Sequence, residues 1–396
     1  MPPGASSLVG PALPFGSAEF ARQDALDITP ASIPRAPDPI EGWRVEGSLG
    51  PSQRFLLRLP KRWNGRLVVA GTPGQRTEYA CDLLFADPLL ARGYAYVSSN
   101  KGQGEGGVLL APGAVLEVGG AVLPRFPLPG GLGVSMWQHA PGHTLARWTD
   151  DLLGVTTAAH ELIAALHGRE PEATYAVGVS NGGYQVRRAI ESSDLFAGAL
   201  AWNAVLWTTQ ANVLTYIPQA IEALERGDFE AVQRLGLPAD VRSTAGESLT
   251  LRYLTSYFYA AGWLHATQLD PETSIAYGDT HDPAAAESWS ARMGSWRPAR
   301  SPRIAERIAE FANTGAIRCK LIDLASEFDY LIPPSLHFEP YGALVAESGA
   351  AGRYRAALIP GAQHVDKWSD EPEYPQMRTG YERVWAAFDE LVEWVE

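Results

Sequence analysis

The chain has 396 residues, 46% of them hydrophobic and 19% charged, and a formal net charge of −13. That length suits one large α/β domain carrying an insertion, or two domains, and the apolar share excludes a disordered chain. The acidic excess has no basic tract against it, which excludes nucleic acid and anionic membrane surfaces as partners.

No apolar run approaches the length that crosses a bilayer. The start, MPPGASSLVGPALPFGSAEF, lacks the basic end and apolar core of a signal peptide, so the expected location is cytoplasmic. Cys81 and Cys319 lie in different segments and are expected as two buried thiols, a disulfide being the alternative.

Residues 1–40, rich in Pro, Ala, Gly and Ser, read as an extended arm. Trp43 to Glu46 and Arg54 to Leu59 bracket a Gly-Pro-Ser turn, which predicts a hairpin of edge strands. Arg66 to Ala70 is a short buried strand running into Gly71-Thr72-Pro73-Gly74. No phosphate-binding glycine pattern occurs there. The loop instead suits one half of an oxyanion hole, and since Pro73 has no N–H, Thr72 is the predicted donor.

Another strand, Tyr94 to Ser98, precedes a Gly- and Pro-rich loop from Lys101 to about Pro141, with room for a hairpin. His139 and His143 have metal-like spacing, but Pro141 and Gly142 break the helix that would align them, so no metal is expected. Thr144 to His167 has helical spacing.

The segment TYAVGVSNGGYQVRRAIE, 174–191, is the most informative. A strand, Tyr175 to Val179, turns sharply through Gly178-Val179-Ser180-Asn181-Gly182 into an amphipathic helix. This is a G-x-S-x-G nucleophile elbow in its strand–turn–helix setting. Ser180 is the predicted nucleophile, and the Asn181 N–H, at the positive end of the helix, the predicted oxyanion donor.

After the strand Phe196 to Asn203 the strand signal stops. Residues 206–300 carry helical patterns at Val213 to Arg226, Asp228 to Leu235 and Ser248 to His265. They read as a helical cap that selects substrate, with Trp207, Tyr257 and Trp263 as candidate wall residues. The α/β rhythm resumes with a helix at Ile304 to Phe311 and a strand at Arg318 to Leu324. A helix at Tyr341 to Glu347, a strand at Tyr354 to Ile359 and a closing helix at Glu382 to Trp394 follow. The core is therefore 41–205 with 301–396, a mostly parallel sheet with helices on both faces.

A serine nucleophile needs a base, and the base an acid to orient it. His364 sits in a loop just after the last strand, at the predicted sheet edge of Ser180. His160 and His167 fall in a helix, and His337 lies too close to Asp329. Asp329, just past a strand and before Pro333, is the predicted acid, with Glu327 its near rival. The order Ser180, Asp329, His364 is that of the α/β-hydrolases.

Over residues 60–396 the chain resembles the α/β-hydrolase superfamily. WNGRLVVAGTPG (63–74), ARGYAYVSSNKG (91–102), GVSNGGYQ (178–185), FDYLIPP (328–334) and GAQH (361–364) are similar to segments of the tannase and feruloyl esterase group. The resemblance implies a carboxylic-ester hydrolase with a lid inserted between sheet strands and no cofactor. Phe328 and Val365 stand where that group carries cysteines joined by a disulfide, and Val179 where a cysteine is common. Polyester-oligomer hydrolases share the Ser-Asn-Gly-Gly elbow, so the implied substrate is an apolar or aromatic ester, oligomeric hydroxyacid esters included. The same triad could cleave an amide, a lactone or an activated C–C bond, and an inactive binding module is a further alternative.

Overall fold

The computed structural model describes residues 40–50, 53–74, 76–102, 145–253, 302–366, 368–369 and 371–396. It also describes the segments 5–8, 108–110, 117–118, 121–122, 125–127 and 133–135 and the positions 261 and 269. Their centre is a nine-stranded sheet. Its strands are β1 (Ala5–Leu8), β2 (Gly42–Ser48), β3 (Arg54–Pro60), β4 (Arg66–Gly71) and β5 (Ala95–Ser99), then β6 (Ala173–Val179), β7 (Gly198–Trp202), β8 (Lys320–Ser326) and β9 (Tyr354–Ile359). The spatial order is β1-β2-β3-β5-β4-β6-β7-β8-β9. β1, β2 and β3 pair antiparallel, as do β3 and β5, and the six strands from β5 to β9 are mutually parallel.

Parallel strands covered on both faces need near-continuous apolar residues, and β4 has them from Leu67 to Ala70. Leu67 and Val69 face a layer formed by α2 (Arg147–His167) and α3 (Asn181–Ser192). Val68 and Ala70 face the other layer, with α1 (Asp87–Ala91) and the C-terminal helix, Tyr381–Val395. β6 divides alike, Ala176 toward α3 and Tyr175, Val177 and Val179 toward the C-terminal helix. Each fully buried Leu, Val or Phe contributes about 1.5–3 kcal/mol. Small residues on the first face (Ala176, Ala199, Ala201) let α3 lie close to the sheet.

Between β7 and β8 come α4 (Val213–Glu225), α5 (Phe229–Gln233), α6 (Leu249–Tyr253) and α7 (Pro302–Phe311). α4 starts as its pattern predicts and runs over Pro218. α8 (Pro334–Glu347) begins seven residues earlier than its periodicity predicts. Pro334 in the first turn is a helix-start signal, but Pro340 inside the helix breaks the pattern there. The closing helix is α9 (Tyr381–Val395).

Within the segment predicted as a long loop, Glu117–Val118 and Ala121–Val122 form a hairpin. Val108–Leu110, Gly133–Ser135 and Arg125–Pro127 form a small antiparallel sheet. His139 and His143 lie outside the described residues. Cys81 and Cys319 are free thiols, the first buried and the second half-buried. Among the described residues no helix is long and apolar enough to cross a membrane.

Candidate active site

The ladder registers align the carboxyl ends of the parallel strands. Gly71 pairs with Gly178, Val179 with Trp202, Trp202 with Leu324 and Ser326 with Ile359. The segments after these strands therefore share one edge, and they carry Thr72, Ser180, Asn203, Asp329 and His364. Backbone strain collects there. Among the described residues, the non-glycine positions with φ in the left-handed region are Lys101, Ser180 and Asn203, each within two residues of a strand of this edge, and Val365 and Asp366 in the loop after β9. Such strain persists only where surrounding contacts over-determine it.

Ser180 has φ 58° and ψ −125° and joins β6 to α3 with no intervening loop. Its N–H donates to the Trp202 carbonyl at 3.0 Å, and its own carbonyl accepts from Tyr184 and Val205, both at 3.1 Å. Glycines make the turn possible. A Cβ on Gly182 would lie 2.1 Å from the Gly71 oxygen, and one on Gly178 2.3 Å from the Gly182 oxygen. β4, β6 and the start of α3 thus touch backbone to backbone. Asn181 is the first residue of α3, so its N–H lies at the positive helix end.

Asp329 is fully buried, and His364 and Ser180 are 7% and 8% exposed, so both retain a little surface open to solvent. The Asp329 Oδ2 and His364 Nδ1 atoms are 2.7 Å apart. Oδ1 of Asp329 accepts from the Leu331 and Ile332 N–H groups at 3.0 and 2.7 Å, which locks the carboxylate rotamer. With Nδ1–H donating to Asp329, Nε2 of His364 is left as a proton acceptor. Glu327, the rival acid, instead accepts from the Gly361 N–H at 2.8 Å.

Asn203 connects the two halves of the edge. Its side-chain oxygen accepts from the Ser326 N–H at 2.7 Å, and its Nδ2 donates to the Ser326 hydroxyl at 3.0 Å and the Gln363 carbonyl at 3.5 Å. The residue beside the elbow strand's neighbour is thereby tied to the acid strand and the histidine loop. Behind the elbow, Arg187 of α3 and Asp323 of β8 form a fully buried pair at 2.7 Å. Burial pushes the Asp323 carboxyl up, with Arg187 and Tyr354 opposing.

Two sequence-based assignments need correction. The Thr72 N–H donates to Gln185 Oε1 at 3.1 Å, and the Thr72 hydroxyl to the Ser99 carbonyl. Both donors are thus engaged within the protein, the N–H by Gln185, which lies one turn into α3. Gln185 in turn donates to the Trp148 carbonyl at 2.8 Å. Trp207 has no exposed surface and packs against Phe311, ring centroids 5.4 Å apart, in an apolar cluster with Val213 and Ile217. It is core, not a pocket wall. Tyr257 and Trp263 lie outside the described residues.

Sequence reasoning missed Lys101, a buried cation in place of the expected loop residue. Its Nζ donates to the Thr72 carbonyl at 2.7 Å and to the Gly74 carbonyl, and lies 4.2 Å from the Trp148 ring centre. Burial, with the Arg76 charge adding to it, pushes its ammonium well below the usual lysine range. The sequence shows only Ser-Ser-Asn-Lys-Gly, a lysine two residues past a buried strand, and its partners 27 and 29 residues earlier are not encoded there. His337, set aside as a base, is structural: Nδ1 accepts from the Leu206 N–H at 2.9 Å, and Nε2 is 3.1 Å from the Tyr216 hydroxyl. Among the described residues no group of three His, Cys, Asp or Glu is placed to hold a metal ion.

No family model and no curated protein matches the chain. Solved structures do. An esterase from Aspergillus oryzae aligns at 12% identity and TM-score 0.56, covering 99% of this chain and 87% of its own. Feruloyl esterase B from Aspergillus oryzae aligns at 14% and 0.50, covering 100% and 88%. Tannin acyl hydrolase from Aspergillus niger aligns at 12% and 0.48, covering 99% and 82%. The mostly parallel sheet, its strand order and the first two of these likenesses agree: the chain has the α/β-hydrolase fold.

Proposed function

We propose that the chain is a serine hydrolase of carboxylic esters working through an acyl-enzyme. The observation that carries this reading is the 2.7 Å Asp329–His364 hydrogen bond, on the sheet edge where Ser180 stands in a strained elbow. Ser180 Oγ attacks the ester carbonyl carbon while His364 Nε2 takes its proton, and the carbonyl π pair moves onto oxygen. The Asn181 N–H, at the start of α3, faces that oxyanion. Collapse breaks the bond to the alcohol oxygen, which leaves with the proton from His364. A water then repeats the sequence on the acyl-enzyme, releasing the acid and restoring Ser180. Asp329 orients the ring and steadies the imidazolium; no cofactor enters.

Residues 206–300 serve as the lid, and the favoured substrates are apolar or aromatic esters, oligomeric hydroxyacid esters among them. The aromatic run from Tyr253 to Trp263 supports this preference. Purified protein with a panel of p-nitrophenyl, feruloyl and hydroxyacid-oligomer esters tests the reading. A pre-steady-state burst of one p-nitrophenol per chain is expected, followed by slower turnover. Absence of hydrolysis across the panel, with activity on amides or none at all, would overturn it.

A further inference from the structure

The insertion is joined to the loops bearing Asp329 and His364 by hydroxyl hydrogen bonds that a mere lid does not need. Tyr330, the residue after Asp329, is buried. Its hydroxyl donates to the Ala239 carbonyl at 2.8 Å and accepts from the Val241 N–H at 3.0 Å, both in the insertion. At the next residue, the Leu331 carbonyl accepts from the Tyr216 hydroxyl of α4 at 2.6 Å. The acid loop is thus held from the insertion at the two residues that follow Asp329.

The histidine loop is held the same way. Gln363, the residue before His364, is fully buried. With its oxygen toward the N–H groups of Trp368 (2.6 Å) and Ser369 (3.1 Å), its NH2 donates to the Tyr253 hydroxyl of α6 at 2.9 Å. Further links run from the Thr244 N–H to the Glu373 carbonyl and from the Gln376 side-chain Nε2 to the Arg242 carbonyl, each 2.8 Å. The rings close the gap: Tyr253 stacks 5.6 Å from Tyr330 and 6.2 Å from Trp368, and Arg252 lies 3.9 Å over the Trp368 ring. One tyrosine therefore touches the neighbour of the acid and, through Gln363, the neighbour of the base.

The geometry points to residues 239–253 as a positioning brace: Tyr330 and Tyr253 fix the two loops relative to each other and so set the Asp329–His364 hydrogen bond. This rests on the serine-hydrolase reading and goes beyond it, since the insertion then governs turnover as well as substrate choice. Hydrogen-bond alignment of this kind is steep, and sub-ångström displacement of a base slows the chemical step. Val365 and Asp366 follow His364 at φ 48° and 58°, a strained pair that needs outside support.

The test compares Tyr330→Phe, Tyr253→Phe and their double variant with Phe229→Ala, a substitution at an exposed residue of the insertion outside residues 239–253. Each is measured for melting temperature, for kcat and KM on p-nitrophenyl acetate, and for the low-field proton resonance of His364 Nδ1–H. For each tyrosine variant, kcat is expected to fall about tenfold with KM within about twofold, a loss confined to the chemical step. The resonance is expected to shift or broaden, while Phe229→Ala leaves all three unchanged. Should Tyr330→Phe not fold, Tyr253→Phe decides, since it removes one oxygen and keeps the stacked ring. Folded tyrosine variants with wild-type kcat and an unshifted resonance would overturn the brace, even if their melting temperatures fall. A wild-type protein that hydrolyses no ester would instead overturn the parent reading.

Discussion

The elbow and the acid–histidine pair reach the same sheet edge by opposite means. Ser180 is placed by backbone alone. Gly71, Gly178 and Gly182 allow three main chains to meet, and the serine between them has no other conformation to adopt. Asp329 and His364 stand on longer loops, three and five residues beyond their strands, and are placed by side chains from Asn203, Glu327, Asp366, Tyr253 and Tyr330. The first construction is local and resists everything except bulk at glycine. The second is distributed and degrades by increments.

The largest expected effects remove the reacting groups themselves. Ser180→Ala and His364→Ala each lower kcat by about 10⁴-fold or more, and the double variant is no worse than the poorer single, because the groups act as a unit. Asp329→Asn leaves a residue of roughly 10⁻⁴ of wild-type kcat, whereas Glu327→Gln stays within about threefold of wild type. Steady-state kinetics on one activated ester separates these. A near-inactive Glu327→Gln beside an active Asp329→Asn would reverse the acid assignment.

Gly182→Ala attacks the local construction. Its Cβ would lie 2.1 Å from the Gly71 oxygen, so β4 and α3 must part. Overpacking of this kind costs about 1–3 kcal/mol, and the displaced elbow should lose most activity. Urea unfolding and kcat measured together check it; a stable, active Gly182→Ala would show that the turn is not locked.

Asp366→Ala attacks the distributed construction. The carboxylate accepts from the Thr379 hydroxyl (2.7 Å) and from the Gly380 and Tyr381 N–H groups (2.8 and 3.0 Å), tying the histidine loop to the start of α9. Its loss should cost about 1–2 kcal/mol of stability, with kcat reduced but not abolished.

The smallest effect concerns pH. Burial raises the Asp151 carboxyl to about 7. A group with a raised folded pKa binds more protons folded than unfolded between its unfolded value and about 7, so its contribution to stability is lost as pH rises through that window. Asp151→Asn should therefore raise the melting temperature more at pH 7.5 than at pH 4.5 relative to wild type, differences of order a few degrees. An equal change at both pH values would show that Asp151 titrates as an exposed carboxylate does.

The same contrast explains what the sequence reveals. β4, β6, β7 and β8 read as apolar runs because both faces are covered, and the elbow reads as a motif because its constraint is steric and contiguous. The places of Asp329 and His364 after late strands, where the two meet at 2.7 Å, were legible; their catalytic roles are the proposal. Gln185 occupying the Thr72 amide, Lys101 under the Thr72–Gly74 turn, and the tyrosines on the paired loops were not. These contacts span from 27 to 113 residues of sequence, and no periodicity encodes them. Trp207 misled for a related reason: aromatic residues at helical spacing serve core and pocket alike, and only burial separates the two.

The central claim is that Ser180 is an activated nucleophile, and labelling with a fluorophosphonate ester tests it most directly. Intact-mass and peptide mapping should find one phosphonyl group per chain on Ser180, absent from Ser180→Ala and formed far more slowly in His364→Ala. A folded wild-type protein that takes up no label at Ser180, or labels equally fast without His364, would contradict the account.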